Sequence, residues 1–298
     1  AMGSLRQLSF LSYILLHLVA LTFAQPEFLY YNCNTTDNYT NPSTYRANLD
    51  SLLSSLSSKT DEYGFYNSSM GQNTDRVNAI VLCRGDVELD ICRRCVDNST
   101  RKLKQVCPNQ KEAIGWYDDC MLRYSNLPIF GTFVWGPAFY MWSTTNVSDV
   151  NRFNQVQKTL LDRLRTQAAS GGSRRKFATG EEPISSSDKL YALAQCTPDL
   201  SELDCTNCLN VSAQVLPDCC DRRIGGRVYR PSCNLRYEMN RFYSETTADE
   251  PSSPPDAPPS LAPPNAPPPL LPSGKDSSTT RSIIISVVPA VIVAILMS

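Results

Sequence analysis

Apolar and polar positions alternate along this chain in a pattern that changes several times. Residues 8–21 are nearly all apolar, running from Leu8 through Ile14, Leu15, Leu16 and Val19 to Leu21. Further on, residues 43–57 and 151–169 carry apolar side chains three and four apart, the spacing of one helix face. Leu52, Leu53 and Leu56 mark the first of these stretches, and Leu160, Leu161 and Leu164 the second. The short apolar runs Val77–Leu82 and Leu190–Ala194 read as a second helix in each half. Strands are predicted at Phe28–Tyr31, Phe65-Tyr66, Met121–Tyr124, Phe139–Trp142, Arg227–Tyr229 and Leu235–Glu238, where aromatic and branched residues cluster. Helices mixed with several short strands, twice over, predict an α+β fold of two tandem domains. The domains are placed at residues 25–135 and 136–246. The apolar residues 130–142 are expected to pack between them.

The cysteines make the duplication explicit. Cys83, Cys92, Cys95, Cys107 and Cys120 follow C-x8-C-x2-C-x11-C-x12-C, and Cys196, Cys205, Cys208, Cys220 and Cys233 repeat it. Four matching gaps in a row identify an internal repeat. Flanking residues agree at the same offset: Asp86 with Asp199, and Arg123-Tyr124 with Arg236-Tyr237. Cys33 has no counterpart, because aligning the opening strands puts Thr144 in its place, and Cys219 stands extra beside Cys220. Each C-x2-C could offer thiolates to zinc. An even set of twelve cysteines behind a secretion signal is instead the composition of a disulfide framework, and no metal or cofactor is expected. Spacing leaves the connectivity open.

That signal is residues 1–24: Arg6, the apolar centre and the small-x-small exit Thr22-Phe23-Ala24 read as a secretory signal peptide cut after Ala24. Six Asn-x-Ser/Thr sequons follow, at Asn34, Asn38, Asn67, Asn98, Asn146 and Asn210, and mark expected glycosylation sites. Residues 251–272 hold eleven prolines. Proline lacks the amide donor that helices and sheets need, so residues 247–282 are expected to form an extended stalk. The apolar residues 283–298 would span about 24 Å as a helix, against about 30 Å for a bilayer core. They are read as a truncated transmembrane helix or as a lipid-anchor signal, and either places the cysteine-rich part outside the cell. The net charge of −1 gives no basic face for nucleic acid. The single histidine, His17, lies within the signal segment. Its removal would exclude Ser-His, Cys-His and His-metal chemistry. The carboxylate pair Asp118-Asp119 would remain, but strand neighbours point to opposite faces and do not converge on one substrate.

Several motifs resemble plant cysteine-rich receptor-like kinases and their relatives, the plasmodesmata-located proteins, the cysteine-rich repeat secretory proteins and the antifungal seed lectin ginkbilobin. They are Tyr63-Gly64-Phe65-Tyr66-Asn67, Cys107-Pro108-Asn109-Gln110-Lys111-Glu112-Ala113, and Gly225-Gly226-Arg227-Val228 ahead of Cys233-Asn234-Leu235-Arg236-Tyr237-Glu238. The resemblance implies two helices on a five-stranded antiparallel sheet in each domain. It implies bridges Cys33–Cys107, Cys83–Cys92, Cys95–Cys120, Cys196–Cys205 and Cys208–Cys233, with Cys219–Cys220 left as a vicinal pair. It also implies mannose-binding positions. Of these the first domain keeps only Asn34, with Ile114 and Ser125 at the other two, while the second keeps Arg227 and Glu238 with Thr145 in place of the asparagine. No Gly-rich phosphate loop, V-A-I-K or H-R-D-L motif is present, so kinase activity is not expected of this polypeptide. The expectation is a non-catalytic extracellular recognition module in stress or defence signalling. Its partners would be an extracellular protein, peptide or glycan ligand and a co-receptor. The alternative is a mannose-type carbohydrate-binding antifungal lectin.

Overall fold

The computed structural model describes residues 25–244, together with Ser12 alone ahead of them. The signal segment 1–24 apart from Ser12, the stalk 247–282 and the apolar segment 283–298 therefore lie outside the described residues. In the first repeat the order is β1 (Phe28–Cys33), α1 (Thr44–Lys59), β2 (Phe65–Met70), β3 (Val77–Cys83), α2 (Leu89–Val106), β4 (Ala113–Tyr117) and β5 (Cys120–Ser125). The second repeat follows as β6 (Phe139–Trp142), α3 (Val150–Ala169), β7 (Lys176–Pro183), β8 (Lys189–Cys196), α4 (Glu202–Gln214), α5 (Leu216–Cys220), β9 (Gly225–Tyr229) and β10 (Cys233–Glu238). Each repeat builds a five-stranded antiparallel sheet, β1-β4-β5-β3-β2 and β6-β9-β10-β8-β7.

Local chemistry explains where the helices begin. Ser43 accepts a hydrogen bond from the Arg46 amide, Asp149 from that of Arg152, and Ser201 from that of Asp204, each satisfying a donor with no partner inside its helix. The α1 face Leu49, Leu52, Leu53 and Leu56 is buried against the first sheet, and the α3 face Leu160, Leu161 and Leu164 against the second. Helices α2 and α4 escape an apolar-periodicity reading because cysteine serves as their apolar residue. On α2 the buried positions are Cys92, Cys95, Val96, Ser99, Thr100 and Leu103.

Val77–Leu82 and Leu190–Ala194, expected as helices, are strands. β3 lies between β5 and β2, and β8 between β10 and β7, so both are interior strands. All seven residues of β3 are buried. Val77, Ala79 and Val81 face the helices, whereas Ile80 and Leu82 join a separate cluster on the other side of the sheet. A strand buried on both faces shows no alternation, and its short apolar run then resembles a helix segment.

That separate cluster is where the repeats meet. Ile80, Leu82, Ile114, Trp116, Met121 and Ile129 from the first repeat pack with Tyr229 and Phe139 of the second. The connection between the repeats divides its aromatic residues. Phe130 and Phe139 pack on the inter-repeat cluster and Phe133 on the helix side of the second sheet, while Trp135 is 66% exposed and Trp142 50%. Residues 130–142 thus fill the junction only in part. Trp116, at 1% exposure, is a core residue.

All twelve cysteines are paired. Cys33–Cys107 ties the edge strand β1 to the end of α2, Cys83–Cys92 joins β3 to α2, and Cys95–Cys120 joins α2 to β5. Cys196–Cys205 and Cys208–Cys233 repeat the last two in the second repeat, and Cys219 bonds Cys220. A bridge stabilises mainly by shrinking the unfolded ensemble, more so the longer its loop. Cys33→Ala with Cys107→Ala opens a separation of 74 residues. That pair of substitutions is expected to lower unfolding stability by about 4 kcal/mol in urea titrations. Cys219→Ala with Cys220→Ala opens a separation of one residue and is expected to shift the midpoint far less.

Candidate functional site

The β4–β5 connection is two residues long, Asp118-Asp119; the Asp118 carboxylate reaches the second repeat, while that of Asp119 stays beside Arg84 of the first. Asp118 accepts from Arg84 Nη1 at 2.7 Å, from Arg227 Nη1 at 2.6 Å and from Arg236 Nη1 at 3.2 Å. Arg84 also pairs with Asp86 at 2.6 Å and with Asp119 at 3.7 Å. Glu238 completes the network, accepting from Arg227 Nε at 3.1 Å and Arg236 Nε at 3.2 Å. The two aspartates sit in a turn, not along a strand, and both reach one guanidinium. Opposite-facing strand geometry therefore does not apply to them.

The network welds the repeats together, with three backbone contacts beside it. Gln195 Nε2 donates to the Cys83 carbonyl at 2.9 Å, Arg175 Nη2 to that of Gly85 at 2.6 Å, and the Ser244 amide to Asp86 Oδ2 at 3.0 Å. Gly85 is required here, since a Cβ on it would fall 2.5 Å from the Phe177 ring. Burial works to raise the Asp118 carboxyl, but Arg236, Arg84 and Arg227 outweigh it and hold the group below its ordinary range. Asp119 goes the other way, pushed up chiefly by burial and further by Asp118 and Asp86.

Arg227 and Glu238 are thus brought together, and they border a pocket of about 210 Å³ with Trp142 on its rim. Their hydrogen-bonding capacity is largely committed to each other, to Arg236 and to Asp118. Asn34 lies in the other repeat and joins a different set. Its Nδ2 donates to Glu112 Oε2 at 3.2 Å, and its Oδ1 accepts from the Thr36 amide at 3.0 Å and the Thr36 hydroxyl at 2.7 Å. Arg123 Nη2 donates to Glu112 Oε1 at 2.9 Å. These three residues line an open cleft of about 590 Å³, walled by Pro128, Ile129 and Pro137. Asn146, the residue after Thr145, is held by Arg223 Nη1 at 2.9 Å.

Glu112 and Arg123 were not singled out from the sequence. Arg123 and Arg236 share one place in the repeat, two strands from the edge, and each faces a carboxylate. In the first repeat that carboxylate is Glu112, just before β4. In the second the corresponding residue is Gly225, and the carboxylate comes from Glu238 at the end of β10, where the first repeat has Ser125. The two arrangements exclude each other, because a Cβ on Gly225 would meet Glu238 Oε2 at 1.9 Å. The matched Arg123-Tyr124 and Arg236-Tyr237 pairs were the available signal.

Asp118→Asn leaves three arginines facing one fewer anion. Breaking a fully buried pair costs about 3–5 kcal/mol. The Asp118 side chain retains 22% exposure, so about 2–3 kcal/mol is expected at pH 7 in urea titrations. A carboxyl whose folded pKa is depressed adds stability that is present above its unfolded value and lost as pH falls through the folded one. The gap between wild type and Asp118→Asn should therefore close as pH drops below about 4.

The salt stress response/antifungal family profile matches residues 32–127 and 141–240, one match per repeat. The antimicrobial ginkbilobin-2-like protein of Castanea crenata is 45% identical over 227 residues, covering 76% of this chain and 92% of that protein. Cysteine-rich repeat secretory protein 38 of Arabidopsis thaliana is 41% identical, covering 76% and 90%. Cysteine-rich receptor-like protein kinase 25 of the same plant is also 41% identical, over 83% of this chain but 37% of the kinase's length. Among solved structures, the tandem DUF26 ectodomain of the Arabidopsis thaliana cysteine-rich receptor-like protein PDLP8 superposes with a TM-score of 0.64 at 24% identity, covering 72% of this chain and 98% of that one. Two matched repeats on the same tandem fold, at over 40% identity to relatives matched almost end to end, show that the chain belongs to the salt stress response/antifungal (DUF26) family.

Proposed function

We propose that this chain is the extracellular recognition module of a cell-surface or secreted plant protein, acting in stress or defence by binding rather than by catalysis. The observation that carries this reading is the first-repeat cleft. Its polar floor of Asn34, Glu112 and Arg123 is hydrogen-bonded into one fixed arrangement, and its walls are apolar. Small-ligand sites combine a few convergent polar groups with mostly apolar walls in this way. The bridge Cys33–Cys107 anchors one side of the cleft, and the welded repeats keep it rigid, which lowers the ordering cost of binding. The family description and the names of the relatives, secretory or receptor-like, support an extracellular setting. In that setting the exposed sequons Asn38 and Asn146 are the expected glycan carriers, at equivalent places in the two repeats. Membrane attachment through residues 283–298 and a co-receptor partner belong to the same proposal.

The chemistry of the cleft favours a second reading, carbohydrate binding. An amide, a carboxylate and a guanidinium together offer both donors and acceptors to neighbouring hydroxyls, and a relative at 45% identity is named an antimicrobial protein. On this reading Asn34 serves within the first-repeat cleft, while Arg227 and Glu238 serve chiefly to hold the repeats together.

The two readings separate on an array of mannose-type glycans probed with the full secreted chain. Carbohydrate binding predicts retention that weakens at least tenfold, about 1.4 kcal/mol, in Glu112→Gln and in Arg123→Met. No retention at millimolar glycan would remove the lectin reading and leave a protein or peptide ligand. Protease applied to intact cells expressing the chain should digest both repeats, and protection from it would overturn the extracellular placement.

A further inference from the structure

The repeats differ along one helix seam, which is covered in the first and stands open in the second. An isolated bridge pairs Asn38 with Gln110 in the first repeat and Asn146 with Arg223 in the second. Next to it, the Tyr39 amide donates to the Asn109 carbonyl at 2.8 Å, and the Val147 amide donates to the Arg222 carbonyl at 2.8 Å. Asn109 stands two residues after Cys107, and Arg222 two after Cys220, so Val147 occupies the place of Tyr39.

In the first repeat Tyr39 is 6% exposed. Its ring lies 5.4 Å from that of Tyr45, the Arg46 guanidinium stands 5.9 Å from its centre, and its hydroxyl donates to the Pro108 carbonyl at 2.7 Å. It thereby covers one end of the seam between α1 and α2, across which Asp50 pairs with Lys104 at 3.1 Å. Valine carries no ring to reach that seam. In the second repeat Lys158 and Pro217 replace Asp50 and Lys104, which removes the ionic crosslink, and Lys158 turns to Asp162 on its own helix at 2.5 Å. The seam between α3 and the α4–α5 pair stands open as a pocket of about 390 Å³. Asn154, Lys158 and Asp221, the counterparts of Arg46, Asp50 and Pro108, all line it, over an apolar floor that includes the buried Leu161 and Leu216.

We infer that this pocket binds a small hydroxylated aromatic molecule, a phenol, which takes the place that the Tyr39 side chain fills in the first repeat. The ring rests on Leu161 and Leu216, and the hydroxyl donates to the Asp221 carbonyl as Tyr39 donates to Pro108. The volume lies within the range of small-molecule sites. The walls are helices whose backbone groups are engaged within them, with no strand edge to hold an extended chain. This is why the ligand is a free small molecule and not the tyrosine of a docked peptide. The site is separate from the first-repeat cleft and does not depend on what that cleft binds.

The test uses p-cresol, the tyrosine side chain as a free molecule, titrated into the whole chain by calorimetry or ligand-observed magnetic resonance. Saturable binding is expected, with toluene, which lacks the hydroxyl, at least tenfold weaker. Val147→Tyr supplies the ring from within and should abolish p-cresol binding. Ala213→Leu fills the pocket from the α4 wall and should weaken binding at least tenfold, giving a second variant if the first folds poorly. Circular dichroism establishes that each variant is folded. The inference is overturned if p-cresol does not saturate, if toluene binds equally well, or if both folded variants bind as wild type does. It is also overturned if a tyrosine-containing peptide binds more tightly than p-cresol.

Discussion

A five-stranded sheet covered by helices on one face has a second face to bury, and each repeat uses the other for that purpose. Ile80, Leu82, Ile114, Trp116 and Met121 would be solvated if the first repeat stood alone, and Tyr229 and Phe139 would be solvated in the second. Apolar burial is not directional, so it brings the sheets together without setting how they meet. Orientation comes from the charged network at its edge. Asp118 engages guanidiniums just after β3, on β9 and on β10, across two repeats, a geometry that few alternative dockings would preserve. Duplication and rigidity are therefore one property, and the site geometry on either side inherits it.

How much of this could be read before the structure depended on how each residue is used. The duplication, the opening helices α1 and α3 and most of the edge strands were legible, because cysteine spacing and one-sided burial leave periodic signals. The interior strands β3 and β8 were not, because their short runs, largely buried on both faces, lack the alternation that marks a strand. Helices α2 and α4 were hidden because their inward face is built from cysteines, which read first as bridge positions. Among the site residues, Arg227 and Glu238 could be placed together through the resemblance and the short strand pairing between β9 and β10. The engagement of Arg227 with Asp118 could not, because it spans 109 residues and depends on how the repeats dock.

The two repeats have diverged by redistributing side chains within a preserved frame. The same helix seam holds a tyrosine in one and lies open in the other. Where the first repeat ties β1 to α2 with Cys33–Cys107, the second closes a ring between adjacent cysteines and leaves β6 without that covalent tie. In each case the strand order is kept while the surface presented changes in chemistry. This is how a stapled scaffold can carry different ligands on its two halves.

The exchange of Glu112 for Glu238 bears on how sites in such repeats are compared. Aligned column against column, Gly225 looks like a lost acid in the second repeat, and Ser125 like a lost acid in the first. By contact, neither repeat has lost its acid, since a carboxylate faces Arg123 in one and Arg236 in the other. A search for function across these domains that counts matching columns will declare both halves degenerate, whereas one that asks which atoms face the shared arginine will find the feature intact twice.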